Sequence, residues 1–132
     1  MARGLRRLVT ETCHDAVMAE TQNCLFCAIV AGEIPAEVVA ETQSALAFRD
    51  LDPHAPLHVL VIPRAHAANA AELASRDPET LASLFELARD VAEQAGHPSF
   101  RTVFNTGEQA GQTVFHAHLH VLAGRSMTWP PG

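Results

Sequence analysis

His116-Ala117-His118-Leu119-His120-Val121-Leu122 is the stretch on which the reading of this chain turns. Histidine alternates with apolar residues, and two is the side-chain period of a β-strand. The three imidazoles are therefore expected on one face, about 6–7 Å apart. The other face, Phe115, Ala117, Leu119 and Val121, reads as core. A polar strand face ordinarily mixes Thr, Ser, Lys and Glu, whereas this one repeats the side chain that titrates near neutrality, binds metals and can act as a nucleophile. Two chemistries suit it: a tri-histidine metal site, or a phosphate-handling site built on a nucleophilic histidine. A solvated strand that merely carries histidine is the bland alternative, and strict alternation on an apolar strand argues against it.

Working outward, the loop Thr106 to Thr113 leads directly into the histidines. Its two glycines, among hydroxyl and amide residues, suit an anion cradle because glycine lets backbone N–H groups turn inward; a plain glycine hairpin fits the same residues. Phe100 to Asn105 before it reads as a strand. Further upstream, Asp77-Pro78-Glu79 signals a helix start with Asp as N-cap and Pro in the first position. Leu81, Leu84, Phe85, Ala88, Val91, Ala92 and Ala95 continue it as an apolar stripe at helical spacing, ended by Gly96 and Pro98. His58 to Pro63 is almost continuously apolar and β-branched, a buried central strand headed by a histidine that needs a partner. Arg64-Ala65-His66 and the alanines after it fit one helical turn or a loop.

Val38–Glu41 and Ala45–Arg49 read as short strands joined at Thr42-Gln43-Ser44. Asp50, in the turn that follows, either caps that turn or presents a carboxylate to a ligand hydroxyl. Cys24-Leu25-Phe26-Cys27 opens a short helix that stops at Gly32. Its two thiols can reach one ion or each other, or serve as two small buried hydrophobes; a redox motif would need a preceding strand that is absent here. The order of elements lacks alternating βαβ units. An α+β domain follows, an antiparallel sheet of about five strands with one long helix packed on it and one short helix.

With 132 residues the chain fits one domain able to bury a core unaided. We place it at residues 23–132, after an N-terminal extension of residues 1–22, expected to be flexible, in which Met18 is a plausible alternative start. Nine arginines, no lysine and a net charge of −6 argue against binding long nucleic acids through their phosphates. No apolar run approaches a membrane span. Three cysteines make an odd count for a disulfide framework, so the cytoplasm is the expected compartment.

These residues carry a resemblance. His116 to Leu122 resembles the signature of the histidine triad family of nucleotide hydrolases and transferases, and the likeness runs from Cys24 to Gly132. Within it, Phe26 to Ala36, Leu46 to His66, Asn105 to Leu122 and the terminal Trp129-Pro130-Pro131-Gly132 are similar to the Hint branch, the purine nucleoside phosphoramidases. Gln112-Thr113-Val114 also resembles the dinucleoside polyphosphate hydrolases, which usually continue well past the triad.

The resemblance implies a nucleotide-binding hydrolase that cleaves adenosine or other purine nucleoside phosphoramidates, or related adenylates, through a nucleotidyl-histidine. A dinucleoside polyphosphate hydrolase and a nucleotide-binding scaffold are the alternatives it leaves. It makes His118 the nucleophile, with His58 orienting its tautomer and His120 assisting at the phosphate and leaving group. Asp50 is expected to hold the ribose hydroxyls. Phe26, Ile29, Phe48 and Leu51 would wall the base, and Asn105, Gly111, Gln112 and Thr113 would form the phosphate loop, with Thr113 where Hint proteins usually have serine. The cysteine pair departs from Hint proteins and resembles many bacterial triad proteins with a structural zinc, whose ligands would here be Cys24, Cys27, His66 and His116. No catalytic metal is expected. A homodimer is implied, with purine nucleotides such as AMP or GMP derivatives as ligands.

Overall fold

A computed structural model of the protein describes residues 23–132, so the expected extension lies outside the described residues. Helix α1 (Leu25–Val30) is capped by Cys24, whose Sγ accepts from the Cys27 N–H at 3.3 Å. Strands β1 (Val38–Glu41), β2 (Ala45–Arg49) and β3 (Leu57–Pro63) follow. After two helices, α2 (Ala70–Arg76) and α3 (Pro78–Gln94), come β4 (Arg101–Val103), a 3-10 turn (Glu108–Ala110) and β5 (Leu119–Ala123).

The sheet runs β1-β2-β3-β5-β4, and every neighbouring pair is antiparallel. This is the α+β architecture expected, with β5 inserted between β3 and β4. All seven residues of β3 are buried, because it has a strand on either side and apolar cover on both faces. One face, Ala45, Ala47, Val59, Val61, Leu119 and Val121, packs against Leu84, Leu87, Ala88 and Val91 of α3. The other, Leu46, Phe48, Leu60 and Ile62, packs against Cys24 and Phe26. Register pairs Leu60 with His120 and Val61 with Leu119, which puts His120 on the second face and Leu119 in the core.

Several expectations are corrected. The histidine segment enters the sheet only at Leu119, since the Ala117 N–H donates to the Ala67 carbonyl (2.7 Å) and not to a strand. Phe115 is 53% exposed and is no part of the core. On α3, Phe85 turns to the rim against Phe104 (ring centroids 5.9 Å) and Ala95 is exposed, while Leu87 takes the buried place. The strand expected over Phe100–Asn105 is only Arg101–Val103. The alanine-rich stretch is a seven-residue helix, α2, capped by Asn69 Oδ1 accepting from the Glu72 N–H (2.9 Å). Among the described residues no helix is long and apolar enough to cross a membrane.

Candidate active site and metal centre

His118 is buried, and its Nδ1 lies 2.8 Å from the carbonyl oxygen of His116. A carbonyl only accepts, so Nδ1 carries the proton and Nε2 keeps its lone pair. Burial lowers the pKa of this imidazole, which favours the neutral ring. The expected orienting group, His58, is elsewhere: the lock on His118 is the peptide of His116, a main-chain contact that no side-chain pattern displays.

His58 acts on His120. The His54 N–H donates to His58 Nδ1 at 3.0 Å, which leaves the His58 proton on Nε2. That Nε2–H donates to His120 Nδ1 at 2.9 Å, with Asp50 Oδ2 3.3 Å away as a second acceptor. His120 must then carry its own proton on Nε2. Burial lowers the pKa of His58, and burial with His118 and His58 close by lowers that of His120 to about 4, so both rings are neutral. Asp50, His58 and His120 converge closely enough for a metal, yet the donor on each side of His58 makes them a hydrogen-bonded chain.

A cavity of about 330 Å³ opens beside His118 and His120. Phe26, Ile29, Phe48 and Leu51 all line it, as does Asp50; Leu51 is 99% exposed and forms its outer lip. Leu25, Ile34, Leu60 and Val114 complete the apolar walls. Sequence reading did not assign these four to the pocket, although Ile34, Leu60 and Val114 sit inside the quoted motifs. Asp50 is set by an Asx turn, its Oδ1 accepting from the Asp52 N–H at 2.8 Å.

Asn105, Gly111 and Thr113 line the phosphate-loop end, but Gln112 does not. It is buried beneath the loop: Oε1 accepts from the Gly107 N–H (2.9 Å), and Nε2 donates to the carbonyls of Ala68 (2.7 Å) and Val114 (3.1 Å). Its amide thus ties the loop to itself and to Ala68 at the segment that follows β3. The cradle is also narrower than expected, because the N–H groups of Ala110, Gly111 and Gln112 bond back to the carbonyls of Gly107 and Glu108. Among the described residues nothing accepts from the N–H groups of Thr113 and Val114, both of which line the cavity.

Behind this site, Cys24, Cys27, His66 and His116 place their ligand atoms within 4.8 Å of one another. His116 Nδ1 is 3.4 Å from each sulfur and 3.2 Å from His66 Nδ1, which is 3.3 Å from the Cys27 Sγ. A tetrahedron with metal–ligand bonds of roughly 2.0–2.3 Å has edges of about 3.3–3.8 Å, and these spacings lie at or within about 0.1 Å of its short end, which suits one zinc ion. The tautomer agrees: His116 Nε2 donates to the Pro63 carbonyl (2.8 Å), which leaves Nδ1 as a lone-pair donor toward the cluster. Burial, with Cys24 alongside, pushes the Cys27 thiol up to about 12, and burial holds His116 at about 4. A neutral His116 imidazole and a protonated Cys27 thiol are ligands that a divalent cation would engage, displacing the thiol proton.

The HIT domain family matches residues 31–127 of this chain. An uncharacterised HIT-like protein of Synechococcus elongatus is 44% identical over 113 residues, covering 85% of this chain and 99% of its own length. The 14 kDa zinc-binding protein of Zea mays is 42% identical over 111 residues, with 82% and 87% covered. Among solved structures, the HIT family hydrolase from Legionella pneumophila superposes with a TM-score of 0.80 at 49% identity, covering 83% of this chain and 100% of that one. Family match, fold and histidine geometry agree, and this chain belongs to the HIT domain family.

Proposed function

We propose that this protein is a nucleotide-binding hydrolase that cleaves purine nucleoside phosphoramidates or related adenylates through a nucleotidyl-histidine on His118. The observation that carries this reading is the pair of tautomers at the cavity floor, a bare Nε2 on His118 and an Nε2–H on His120. The apolar walls suit a purine, Asp50 suits the ribose hydroxyls, and the unbonded N–H groups of Thr113 and Val114 suit phosphate oxygens.

In the first step the His118 Nε2 lone pair forms a bond to the α-phosphorus. The electron pair of the breaking P–N bond leaves with the amine, which takes up one proton from solvent, while His120 Nε2–H donates a hydrogen bond to the leaving atom. His118 keeps its Nδ1–H on the His116 carbonyl, and that dipole steadies the positive charge the ring acquires. Water then attacks phosphorus. Its oxygen joins the monophosphate, its released proton balances the one taken up by the amine, and His118 returns to neutral.

Cys24, Cys27, His66 and His116 would hold zinc as a closed structural centre tying α1 to the histidine segment. The name of the maize relative supports that assignment. We also assign a cytoplasmic homodimer, supported by the free thiols and by Trp129, 83% exposed. Incubating the protein with adenosine phosphoramidate tests the function: steady release of AMP, unchanged by a chelator that leaves the fold intact, is expected, and binding without turnover would leave only a nucleotide-binding module.

A further inference from the structure

The turn that orients His58 is held in place from beyond the end of β5. Gly124 has φ +95° and approaches Pro56 so closely that a Cβ on it would lie 2.9 Å from the proline Cβ. That approach delivers Arg125 to the same turn, where its Nε donates to the His54 carbonyl at 2.8 Å and its Nη1 to the Ser126 carbonyl at 3.1 Å. Among the described residues no carboxylate pairs with Arg125. The guanidinium is thus committed to main-chain carbonyls. The residue it grips, His54, supplies the N–H that rests on His58 Nδ1.

We propose that Arg125 is a positioning residue for His120. By clamping the His54 carbonyl it keeps the His54 N–H on His58 Nδ1, which directs His58 Nε2–H at His120 Nδ1 and hence His120 Nε2–H at the leaving atom. A neutral imidazole has two tautomers of similar energy in water, and one well-placed backbone donor decides between them. Asp50 Oδ2, 3.3 Å from His58 Nε2, favours the same tautomer from the other side of the ring, and the His54 N–H adds the donor on Nδ1 at 3.0 Å. Arg125 reaches no reacting atom; it acts through three links, each a hydrogen bond of 3.0 Å or less.

The consequence for rate rests on the hydrolase reading, whereas the tautomers can be read without substrate. Heteronuclear NMR of the imidazole nitrogens in the full chain should show His58 and His120 as Nε2–H tautomers; wild-type His58 with its proton on Nδ1 would overturn the proposal outright. In Arg125→Ala, His58 should become a mixture of tautomers, and kcat for adenosine phosphoramidate should fall roughly tenfold, the value of one hydrogen bond, with KM within twofold. Arg125→Lys, which keeps the charge and a donor, should recover part of kcat. Unchanged tautomers in Arg125→Ala, or a loss carried by KM and cured fully by Lys, would instead make Arg125 a surface charge for the phosphate. Wild-type protein that turns over no nucleotide derivative would sink the hydrolase reading and leave the NMR test standing.

Discussion

His118 and His120 face one cavity with ring centroids 5.1 Å apart and offer it opposite atoms, a bare nitrogen from His118 and an N–H from His120. Two identical side chains two residues apart differ because their Nδ1 atoms meet different partners. A carbonyl accepts a hydrogen bond from one, and an imidazole N–H gives a hydrogen bond to the other. On the proposed reading, the nucleophile and the hydrogen-bond donor are thereby fixed before substrate arrives.

A bare Nε2 on His118 needs a neutral ring, and burial lowers both pKa values from 6.5, that of His120 to about 4. Turnover is therefore expected to stay level as pH falls from neutrality through 6.5, with its acid limb below that value. Stability follows the same sign. The unfolded chain takes up protons near 6.5 that the folded chain accepts only lower, so the contribution is complete above 6.5 and is lost as pH falls toward 4. A kcat/KM profile with a midpoint at or above 6.5, or a Tm that rises on acidification, would contradict this.

Metal analysis of protein never exposed to chelator should give about one zinc per chain. Cys27→Ala should lose it and lower Tm. The primary damage is expected in stability, because the cluster joins Cys24 and Cys27 at the start of α1 to His116 and His66, across 92 and 39 residues of chain. Full metal-free stability in the wild type would make the cysteines simple core residues.

Gly124→Ala tests the seam between β5 and the His54–Pro56 turn. Positive φ and a 2.9 Å contact act together there, and a loss of about 2–4 kcal/mol is expected from urea unfolding. Gly111→Ala shares the positive φ but meets only Asn105 Nδ2 at 3.8 Å, so about 1–2 kcal/mol should suffice. Equal losses would show that the Pro56 contact is soft.

What was legible followed from local pattern. Strand β3 announced itself because burial on both faces demands an unbroken apolar run, and α3 because Asp77 does cap Pro78, accepting from the Thr80 N–H at 3.2 Å. Helix α2 carries a signal of its own: Asn69-Ala70-Ala71-Glu72 has capping-box spacing, with Asn69 Oδ1 accepting from the Glu72 N–H, although Glu72 Oε2 accepts from the Ala68 N–H (3.0 Å), one residue before the N-cap. The partner of His58 was not legible, since it depends on a β3–β5 register that sets His58 diagonally across from His120. Nor was the role of Gln112, because whether an amide faces ligand or its own loop depends on burial.

Trp129 should matter through a second copy of the chain. Light scattering at micromolar concentration is expected to give a dimer, and Trp129→Ala to keep the dimer while changing the preference among amine leaving groups. A monomer, or unaltered preference, would remove the tail from the site.

The most direct test is a rapid alkaline denaturing quench of wild-type protein with radiolabelled adenosine phosphoramidate, followed by mapping of the acid-labile label. The nucleotide should be found on His118, and His118→Asn should carry none, lose several orders of magnitude in turnover and still bind nucleotide through Asp50 and the apolar walls. Label on His120, label on no histidine, or near-normal turnover without His118 would contradict the assignment of a bare Nε2 on His118 as the nucleophile.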